Sequence, residues 1–483
     1  MYEKRVDRSA AVLVAASVVQ FLVSLDLSVV NVALPQIDTA LGFSTVGLTW
    51  VIHAYALTFG GLLLLGGKAA DRFGRRQVLV AGLVLFGVAS LAGGFAQEPA
   101  HLVVARAAQG VGAAALAPAA LAVLTETFPS GPERVRAFGV WGAMNAAGGA
   151  IGVLMGGVLT EYADWRWVMF INVPMAALAL ALVARGVMAA PPPAPDGRPD
   201  VAGGILVTAG TGLLVFGIVR SDHLGWSAAQ TRLTILAALV LLAAFVRVEG
   251  RTATQPLLRL GLLRSRAVLG SNLFNLVVGA AMASAFYFMS LHLQVVLGHG
   301  AARTGVEFLP FALGVVLGSV LAVKLSRLGA RRLLVFGALL AAVGFAWFGR
   351  VDAHSTYLAD VLPPSVLASV GFGISLATVV RTATAGVAPA EAGVASGLLN
   401  SSRQIGAALG LAALGAAAAH RSGGATDPAA LADGYGWGLT LSAVLLVVAA
   451  AVAHLVVREE PEAIDLPAVA DNPTNDTVTQ EKS

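Results

Sequence analysis

Cysteine is missing from this sequence of 483 residues, and charged side chains are scarce. Without cysteine there is no disulfide and no thiolate-based metal site. Charged residues make up 12% of the chain, against roughly 25% in soluble domains. The nucleotide-binding pattern G-x-x-x-x-G-K-[ST] and the hydrolase patterns G-x-S-x-G and H-E-x-x-H are also missing. These absences exclude an ATP-driven pump and an embedded hydrolase, so we expect no enzyme activity, no cofactor and no metal.

Apolar runs of about twenty residues recur from one end of the chain to the other. Hydrophobic residues make up 57% of the chain, and its mean hydropathy is +0.80. This pattern is typical of a helical membrane protein, and it lacks the alternating segments of a transmembrane barrel. The lipid bilayer is therefore an expected partner. We predict fourteen spans, at 10–34, 47–66, 77–96, 101–124, 137–159, 167–189, 201–219, 228–246, 268–293, 304–323, 333–349, 358–380, 398–419 and 436–457.

The basic residues indicate orientation. They lie in short loops, which is typical of topology signals and not of nucleic-acid binding, so no nucleic-acid partner is expected. With the N-terminus inside, 24 of the 31 Lys and Arg residues fall in inner segments and 6 in outer ones. This count places Arg403 with the inner segments, although the predicted span 398–419 includes it, and counts only Arg106 as lying within a span. We therefore expect a protein of the cytoplasmic membrane with both termini in the cytoplasm.

Two short segments indicate an internal repeat. "AADRFGRRQVL" (69–79) follows the second predicted span and "KLSRLGARRLL" (324–334) follows the tenth, with Gly74 aligned to Gly329. Short basic loops also look alike by chance. A true duplication predicts two bundles related about the membrane normal, with spans 7 and 8 as an extra pair. The predicted fold class is an all-α polytopic membrane protein with two six-helix bundles and two extra transmembrane helices.

We expect four regions along the chain. They are an N-terminal six-helix bundle at 1–189, a linker with the two extra helices at 190–250, a C-terminal six-helix bundle at 251–457, and a disordered cytoplasmic tail at 458–483. "AAPPPAPDGRPD" (189–200) is rich in proline, which predicts a stiff link. "RTATQPLLRLGLLRSRAV" (251–268) alternates leucine with arginine, which fits a segment lying on the inner membrane surface or an ordinary solvated loop.

The loop after the second span has the pattern G-x-x-x-D-R-x-G-R-R. The pattern is filled by Gly67, Asp71, Arg72, Gly74, Arg75 and Arg76. Gly74 permits a tight reversal, and Asp71 can meet a helix N-terminus or an arginine. The loop resembles the cytoplasmic signature loop of the major facilitator superfamily, which implies the major facilitator fold. We expect Asp71 and the arginines to form a latch that closes when the protein opens outward and breaks when it opens inward.

The resemblance narrows to the fourteen-spanner drug:proton antiporters. It is carried by "LDLSVVNVALPQI" (25–37), "VVARAAQGVGAAALAPA" (103–119) and "WRWVMFINVP" (165–174), with a weaker similarity at "GVASGLLNSSRQIGAALG" (393–410). It implies proton-coupled export of small organic molecules, such as lipophilic and often cationic drugs or an antibiotic. Protons and a small-molecule substrate are then the expected partners, and we expect a monomer. A proton symporter or uniporter that imports a nutrient is the main alternative, and a sensor without transport is another.

The fifth span is rich in glycine. Its glycines include Gly139, Gly148, Gly152, Gly156 and Gly157. Three of them recur every fourth residue and form a smooth stripe that allows close helix packing. The spacing resembles that of antiporter members in this helix, but where their pattern has proline this chain has Val153. Valine keeps the backbone donor, so we expect a straighter helix, and an antiport role and plain packing both remain open.

Asp26 lies inside the apolar run of the first span, where a charge costs about 2.5–3.5 kcal/mol on insertion scales. From the expected helix ends, Asp26 lies about 12 Å and Arg106 about 7.5 Å below the outer surface, so they can share a level. We predict that Asp26 carries the proton and that Arg106 is a buried cation facing the pore. The alternatives are an Arg106 that snorkels to the interface, a permanent structural ion pair, and a counter-ion role for cationic substrates.

Other polar residues within the spans are further candidates. Glu307 is a second candidate for proton coupling, although "TGVE" (304–307) also has capping-box spacing at the start of span 10. His292 and His454 are expected to be packed or interfacial. Candidates for lining a substrate cavity, with packing or interhelical hydrogen bonding as the alternative, are Asn31, His53, Gln109, Asn145, Asn272, Asn275 and Gln294.

Overall fold

Helices make up nearly all of the described chain. The computed structural model describes residues 2–44, 47–128, 131–187, 200–251, 257, 260–385, 387, 392–425 and 427–457. Within these ranges there are fourteen long helices and no strand. They are α1 (Tyr2–Leu41), α2 (Gly47–Phe73), α3 (Arg75–Gly94), α4 (Pro99–Thr127), α5 (Gly131–Tyr162), α6 (Trp167–Gly186), α7 (Val201–Leu224), α8 (Ala229–Arg251), α9 (Arg266–Val296), α10 (Ala301–Lys324), α11 (Ala330–Phe348), α12 (Tyr357–Thr384), α13 (Ala392–Ser422) and α14 (Pro428–Leu455).

Some expectations fall on residues outside the described ranges. The tail at 458–483 lies wholly outside them. The link at 189–200 lies outside except for Asp200, whose side chain caps α7 by accepting from Gly203 N at 2.8 Å. Of the segment 251–268, the described part includes a short 3-10 turn, Leu260–Arg264, before α9. These three expectations stay predictions.

The predicted spans coincide with the fourteen helices, and thirteen helices are long and apolar enough to cross a membrane. The exception is α13, whose 31 residues provide the length but whose polar run at 400–404 lowers its hydropathy. Two serines of this run have partners on other helices. Ser401 Oγ donates to Gly60 O, and Ser402 Oγ donates to Asn272 Oδ1 at 2.8 Å. These two serines therefore face other helices and not lipid.

The start of α13 corrects the placement of one arginine. The charge count treats Arg403 as a residue of an inner loop, although the predicted span 398–419 already includes it; α13 begins at Ala392, and Arg403 is its twelfth residue. At 1.5 Å per residue, Arg403 lies about 16 Å along the helix. The expectation that Arg106 is the only basic residue within a span was therefore wrong. Without Arg403, 23 basic residues remain on the inner side against 6, so the orientation argument is unaffected.

The turns after α2 and α10 have the same backbone conformation. Gly74 has φ 93° and ψ 132°, and Gly329 has φ 85° and ψ 149°. Residues with a side chain rarely adopt such positive φ values, so both turns favour glycine. In each case a helix begins at the next residue, Arg75 or Ala330. The two aligned segments of the sequence therefore occupy equivalent turns in the two bundles.

A glycine stripe brings α5 into backbone contact with α1. A Cβ built on Gly148 would lie 2.7 Å from Phe21 O, and one built on Gly152 would lie 2.7 Å from Leu25 O. Gly156 repeats this contact one turn further along. Because the stripe advances four residues at a time on both helices, the two backbones follow each other over two turns. The expected close packing of these glycines is present.

The second bundle repeats this arrangement between α13 and α9. Gly406 and Gly410 are four residues apart, and they contact α9 at Leu276 and Ala280, again four residues apart. Neither glycine has room for a Cβ. The repeat therefore extends from one turn to the packing of whole helices.

The extra pair, α7 and α8, packs outside the two bundles. α7 contacts α2 and α13, and α8 contacts α7. Thr208 of α7 fits against Gly61 of α2, where a Cβ would overlap it. α8 is largely exposed, as expected for a helix that faces lipid. This placement agrees with an extra pair outside the repeat, while the domain boundaries stay a prediction.

On the side of the membrane opposite the chain termini, which we call the far side, the two bundles are in close contact. Gly157 of α5 packs on Ala301 of α10, and Gly305 packs on Val153, with too little room for a Cβ at either glycine. α5 is continuous through Val153, as expected without a proline. Close glycine contacts therefore hold α5 and α10 together at this end.

Two hydrogen bonds join α9 to α1 on the far side. Ser290 Oγ donates to Asn31 O at 2.9 Å, and Gln294 Nε2 donates to Val32 O at 3.0 Å. Gln294 lies in a wider π-helical turn, His292–Val296, that ends α9. The far side is thus closed by both packing and hydrogen bonds.

On the side of the termini, the terminal side, the bundles part beside α5. Gly139 lies 18 residues before Gly157, which is five helical turns, so both glycines are on the same face of α5. Gly157 contacts α10, whereas a Cβ on Gly139 would meet nothing within 4 Å. α2 and α13 stay in contact near Gly60 and Ser401. This face of α5 is therefore packed on the far side and open on the terminal side, and we call the open region beside Gly139 the gap.

We expect Gly152→Val to destabilise the protein, because overpacking costs about 1–3 kcal/mol and here a backbone carbonyl blocks the new side chain. Gly139→Val is the matched control, since it adds the same atoms to the same helix in open space. Thermal unfolding in detergent should show a lower midpoint for Gly152→Val and an unchanged one for the control. Equal midpoints would contradict the stripe as a packing contact.

Candidate functional site

Polar side chains from several helices surround Asp26 inside the N-terminal bundle. Arg106 Nη1 donates to Asp26 Oδ2 at 2.8 Å. Asn172 Nδ2 and Gln109 Nε2 donate to Asp26 Oδ1 at 2.8 and 3.2 Å. The side chains of Asp26 and Arg106 are 0% and 3% exposed. The carboxylate therefore has three donors and no contact with water.

Arg106 is held from several directions. Its Nε donates to Val51 O at 3.1 Å, and its Nη1 also donates to Gln109 Oε1 at 2.9 Å. Its guanidinium carbon lies 4.4 Å from the centre of the Tyr55 ring, within the range of a cation–π contact. An anion, a carbonyl, an amide and an aromatic ring thus replace the water that the cation loses.

The predicted common level of Asp26 and Arg106 is confirmed, since their side chains are in contact. Two of the hypotheses about the position of the Arg106 side chain are wrong in this conformation. Arg106 does not snorkel to the interface, and it does not face the pore, because it is enclosed among the helices of one bundle. Asp26 is likewise closed off from any substrate in the gap, which leaves proton carrier and structural ion pair as the roles to separate.

The sequence argument missed two members of this cluster, Asn172 and Ser90. Gln109 Nε2 donates to Ser90 Oγ at 2.7 Å, and Ser90 Oγ donates to Phe86 O at 2.7 Å. Asn172 is a lone amide in an apolar run, inside the segment "WRWVMFINVP", and that was the available signal. Its contact with Asp26 depends on the rotation of α6 about its own axis, which hydrophobic pattern alone does not give.

The cluster is arranged for a charged carboxylate. An ionised aspartate only accepts, and here both oxygens face donors. A proton on either oxygen would create an O–H group that faces another donor, so the protonated acid requires the neighbours to move. Proton binding at Asp26 is therefore tied to a rearrangement of Arg106 or the two amides.

The signature loop is arranged around its arginines. Arg75 pairs with Glu126 at the end of α4, and Arg76 Nη2 donates to Ala184 O in α6 at 3.3 Å. Asp71 is exposed and has no hydrogen-bond or ion-pair partner among the described residues. Since the terminal side is open here, this agrees with a latch that is broken when the protein opens inward. The latch itself stays a prediction.

Gly67 makes only an ordinary contact, because a Cβ there would lie 3.6 Å from Pro118. The close approach of α2 to α4 uses the preceding residue, Gly66, where a Cβ would overlap Ala114 O. Arg72 lies over the ring of Phe73, 5.7 Å from its centre. Of the loop's two motif glycines, Gly74 is therefore the one that the backbone needs.

Glu307 does not cap α10. The helix begins at Ala301, so Thr304 is already inside it and its Oγ1 has no partner among the described residues. Glu307 instead hydrogen-bonds to His299 Nδ1 at 2.8 Å and to Arg303 Nε at 2.9 Å. The capping-box interpretation was wrong because the helix starts earlier than the pattern suggests. The role of Glu307 in proton coupling stays a prediction.

The described residues contain no group of three or more His, Cys, Asp or Glu side chains that could hold a metal ion.

Several candidates for the substrate cavity join helices instead. Gln109 belongs to the Asp26 cluster. Asn275 Nδ2 donates to Leu399 O at 2.7 Å, and Gln294 donates to α1 as described above. Asn272 accepts from α13. For these amides the geometry favours interhelical hydrogen bonding.

Asn145 and Asn31 differ in their access to the gap. Asn145 is exposed, and its Oδ1 accepts from Gln20 Nε2 at 2.6 Å. Asn31 is half-buried and donates to a carbonyl of its own helix. Asn145 is thus the candidate whose polar atoms remain accessible on the terminal side, whereas Asn31 lies beside the closed far side.

Three histidines of the spans, His53, His292 and His454, form no hydrogen bond that the described residues show. His53 and His292 are buried, and their ring nitrogens have no partner among the described residues. His53 lies edge-on to Trp50, with ring centres 5.8 Å apart. His454 is exposed in the last turn of α14. The packed or interfacial interpretation fits all three.

A carboxylate of α5 caps the start of α10 on the far side. Glu161 Oε2 accepts from Ala302 N at 2.6 Å, and Gly300 leaves the space that the carboxylate occupies. The first N–H groups of a helix have no partner within the helix and form the positive end of its dipole. The N-terminal bundle therefore supplies a cap to a helix of the C-terminal bundle, and opening the far side would break it.

Comparison with known proteins gives a consistent result. A family model described as Major Facilitator Superfamily matches residues 16–411. The chain is 42% identical over 436 residues to the cephamycin export protein of Amycolatopsis lactamdurans, with 89% of each chain covered. It is 41% identical over 469 residues to the puromycin resistance protein of Streptomyces alboniger, covering 94% of this chain and 92% of the relative.

Solved structures have the same fold. One is a bacterial homologue of the human lysosomal transporter Spinster, inward-facing and unoccupied, with a TM-score of 0.65, 18% identity, and 94% and 99% of the two chains covered. Another is the inward-open xylose transporter of E. coli, with a TM-score of 0.62, 14% identity, and 94% and 98% covered.

Removing Arg106 alone should destabilise the protein strongly, because it leaves a buried carboxylate without a cation, at a cost of about 3–5 kcal/mol. Arg106→Gln should therefore lower the thermal midpoint and the yield of folded protein. Adding Asp26→Asn should recover much of the loss, because an amide needs no counter-charge. A double variant no more stable than Arg106→Gln would show that Asp26 is not the group that needs the cation.

Glu161→Ala should favour opening of the far side. Loss of a helix cap costs about 1 kcal/mol, which corresponds to roughly a fivefold shift in an equilibrium. Because the chain has no cysteine, Asn31→Cys alone can report access, through its reaction with an impermeant maleimide added on the far side. Labelling should rise in Glu161→Ala but not in the control Asp164→Ala, whose carboxylate bonds only within its own loop. Equal labelling in both would rule out the cap as a gate contact.

Proposed function

Because the chain belongs to the Major Facilitator Superfamily, we propose that it exports antibiotic-like small organic molecules by alternating access, driven by inward proton flow. Relatives that cover most of the chain are named for cephamycin export and for puromycin resistance. Both bundles that must rock against each other lie in one chain, so a monomer suffices.

The observation that carries the proton coupling is the burial of Asp26. A membrane protein does not need a carboxylate in the apolar interior of a bundle for stability, since apolar side chains of similar volume are as good or better. An ionisable group inside a membrane span is therefore a functional candidate by default. Its three donors fit the deprotonated form, which is the form expected after a proton has been released to the inside.

We assign the terminal side to the cytoplasm and the protein to the cytoplasmic membrane. The excess of basic residues on that side supports this orientation. The gap between the bundles then opens inward, ready to take a substrate from the cytoplasm. In the cycle that follows, the far side opens, the cap from Glu161 breaks, and Asp26 gains access to external protons.

The available driving force fits this cycle. A pH difference of one unit supplies about 1.4 kcal/mol per proton, and the membrane potential adds about 2.3 kcal/mol per 100 mV for each charge. One proton per cycle can therefore support a substrate gradient of at least about tenfold.

Asp26→Asn should bind substrate but fail to accumulate it. The amide has nearly the shape of the acid but cannot exchange a proton, so uphill transport should fall to background while downhill exchange persists. The assay uses the full chain in liposomes with an imposed pH gradient and puromycin or a cephamycin as the probe. The matched control is Asp433→Asn, which removes an exposed carboxylate paired with Arg421.

Three results would count against the assignment. Proton-driven accumulation that survives in Asp26→Asn would show that another group carries the proton. Failure of the variant to fold would favour the permanent ion pair. Accumulation of substrate in the direction of proton flow would favour the importing alternative over export.

A further inference from the structure

Arg403 is, like Arg106, an arginine far from the ends of its helix, and no described carboxylate pairs with it. It is the twelfth of the 31 residues of α13, so it is far from both helix ends. Its Nη2 donates to Asn400 Oδ1 at 3.0 Å. No carboxylate forms an ion pair with it in the part of the chain that the structure describes. An arginine in the middle of a span is costly and therefore calls for an anionic partner.

The contrast with Arg106 is direct. Arg106 is completely enclosed and bonds to Asp26, whereas Arg403 is half-buried and has a neutral amide as its hydrogen-bond partner. One cation is fully compensated by the protein, and the other keeps hydrogen-bond donors available.

The packing of α13 fixes the direction of Arg403. Gly406 faces α9, Ser401 faces α2, and Ala412 packs beside α7. At about 100° per residue, Asn400 falls between the α9 and α2 faces, and Arg403 lies at the edge of the α9 face, where its backbone packs on Gly279. Both residues are on the side away from α7. Because α7 lies outside the bundles, this side faces the gap between them.

The internal repeat supports this direction independently. Arg403 precedes Gly406 by three residues, as Asn145 precedes Gly148, and these are the first glycines of the two matching stripes. Asn145 is exposed, and Ile151, about 120° around α5 from Asn145, is an exposed apolar residue that suits lipid. The equivalent position in α13 therefore also points toward the gap.

We propose that Arg403, oriented by Asn400, forms an anion subsite in the gap that binds a carboxylate of the transported molecule. This inference deepens the proposed function and rests on it. A guanidinium presents a planar fork of N–H donors that matches the two oxygens of a carboxylate, and such charge-assisted bonds are stronger in a poorly hydrated gap. The bound carboxylate completes the set of partners that Arg403 lacks.

The test compares acids with their esters, because esterification removes the negative charge and little else. The probes are rhodamine B with its ethyl ester and benzylpenicillin with its methyl ester, and binding to the full chain is measured in detergent. The wild type should bind at least one acid more tightly than its ester. Arg403→Gln should weaken binding of that acid roughly tenfold or more and leave its ester unchanged.

Two variants make the comparison specific. Arg421→Gln removes an arginine from the same helix at a site that is exposed and paired with Asp433, so it should keep the preference for acids. Arg403→Lys keeps the charge but loses the planar fork, so it should retain only part of the preference. It also serves as the test variant if Arg403→Gln does not fold.

Three outcomes would overturn the subsite. They are a wild type that prefers no acid over its ester, an equal loss of acid and ester binding in Arg403→Gln, and a full preference for acids in that variant. The proposed export function is judged separately, by proton-driven transport of the esters in liposomes. That transport should persist in Arg403→Gln, and its absence from the wild type would count against export itself.

Discussion

A carboxylate and a guanidinium buried side by side constrain the helices that carry them. Each charge costs several kcal/mol to remove from water, so every partner that offsets this cost must stay within hydrogen-bond reach. Asp26 depends on Arg106, Gln109 and Asn172, which fixes α1, α4 and α6 relative to one another. The glycine stripe of α5 allows a further helix to lie against α1 without displacing it. The hydrogen bonds of the polar cluster and the glycine packing around it therefore fix the same group of helices.

The position of this cluster on α1 links it to the far side. Asp26 is five residues from Asn31, which is about 7.5 Å along the helix. Asn31 O accepts from Ser290, and the next carbonyl, of Val32, accepts from Gln294. One continuous helix thus carries both Asp26, which we propose as the proton carrier, and a contact between the bundles. A movement of α1 that accompanies protonation is transmitted directly to that contact, so no long chain of residues is required.

Sequence reasoning succeeded where a local rule is enough. The rise of a helix fixes depth, so the common level of Asp26 and Arg106 could be predicted, and a turn with positive φ favours glycine at Gly74. Sequence reasoning failed where contacts between distant segments determine where a helix starts or what surrounds a side chain. Glu307 has capping-box spacing, but the start of α10 is set by a cap from the other bundle. Arg403 lies within a polar run that the charge count treats as a loop, and the partners of Ser401 and Ser402 in this run lie on helices that are distant in sequence.

The two bundles have similar helix packing but differ in where their charged side chains lie. The repeat places Asn145 and Arg403 at equivalent positions before matching glycines, so helix packing alone did not require a cation at either one. The N-terminal bundle holds Arg106 and Asp26 together in a closed cluster, whereas Arg403 of the C-terminal bundle has no ion-pair partner among the described residues. The duplicated helices are thus alike in packing, and single side chains make the two bundles different. In the mechanism that we propose, the proton binds in one bundle and the substrate's charge is recognised in the other, so the two ligands need not compete for one site.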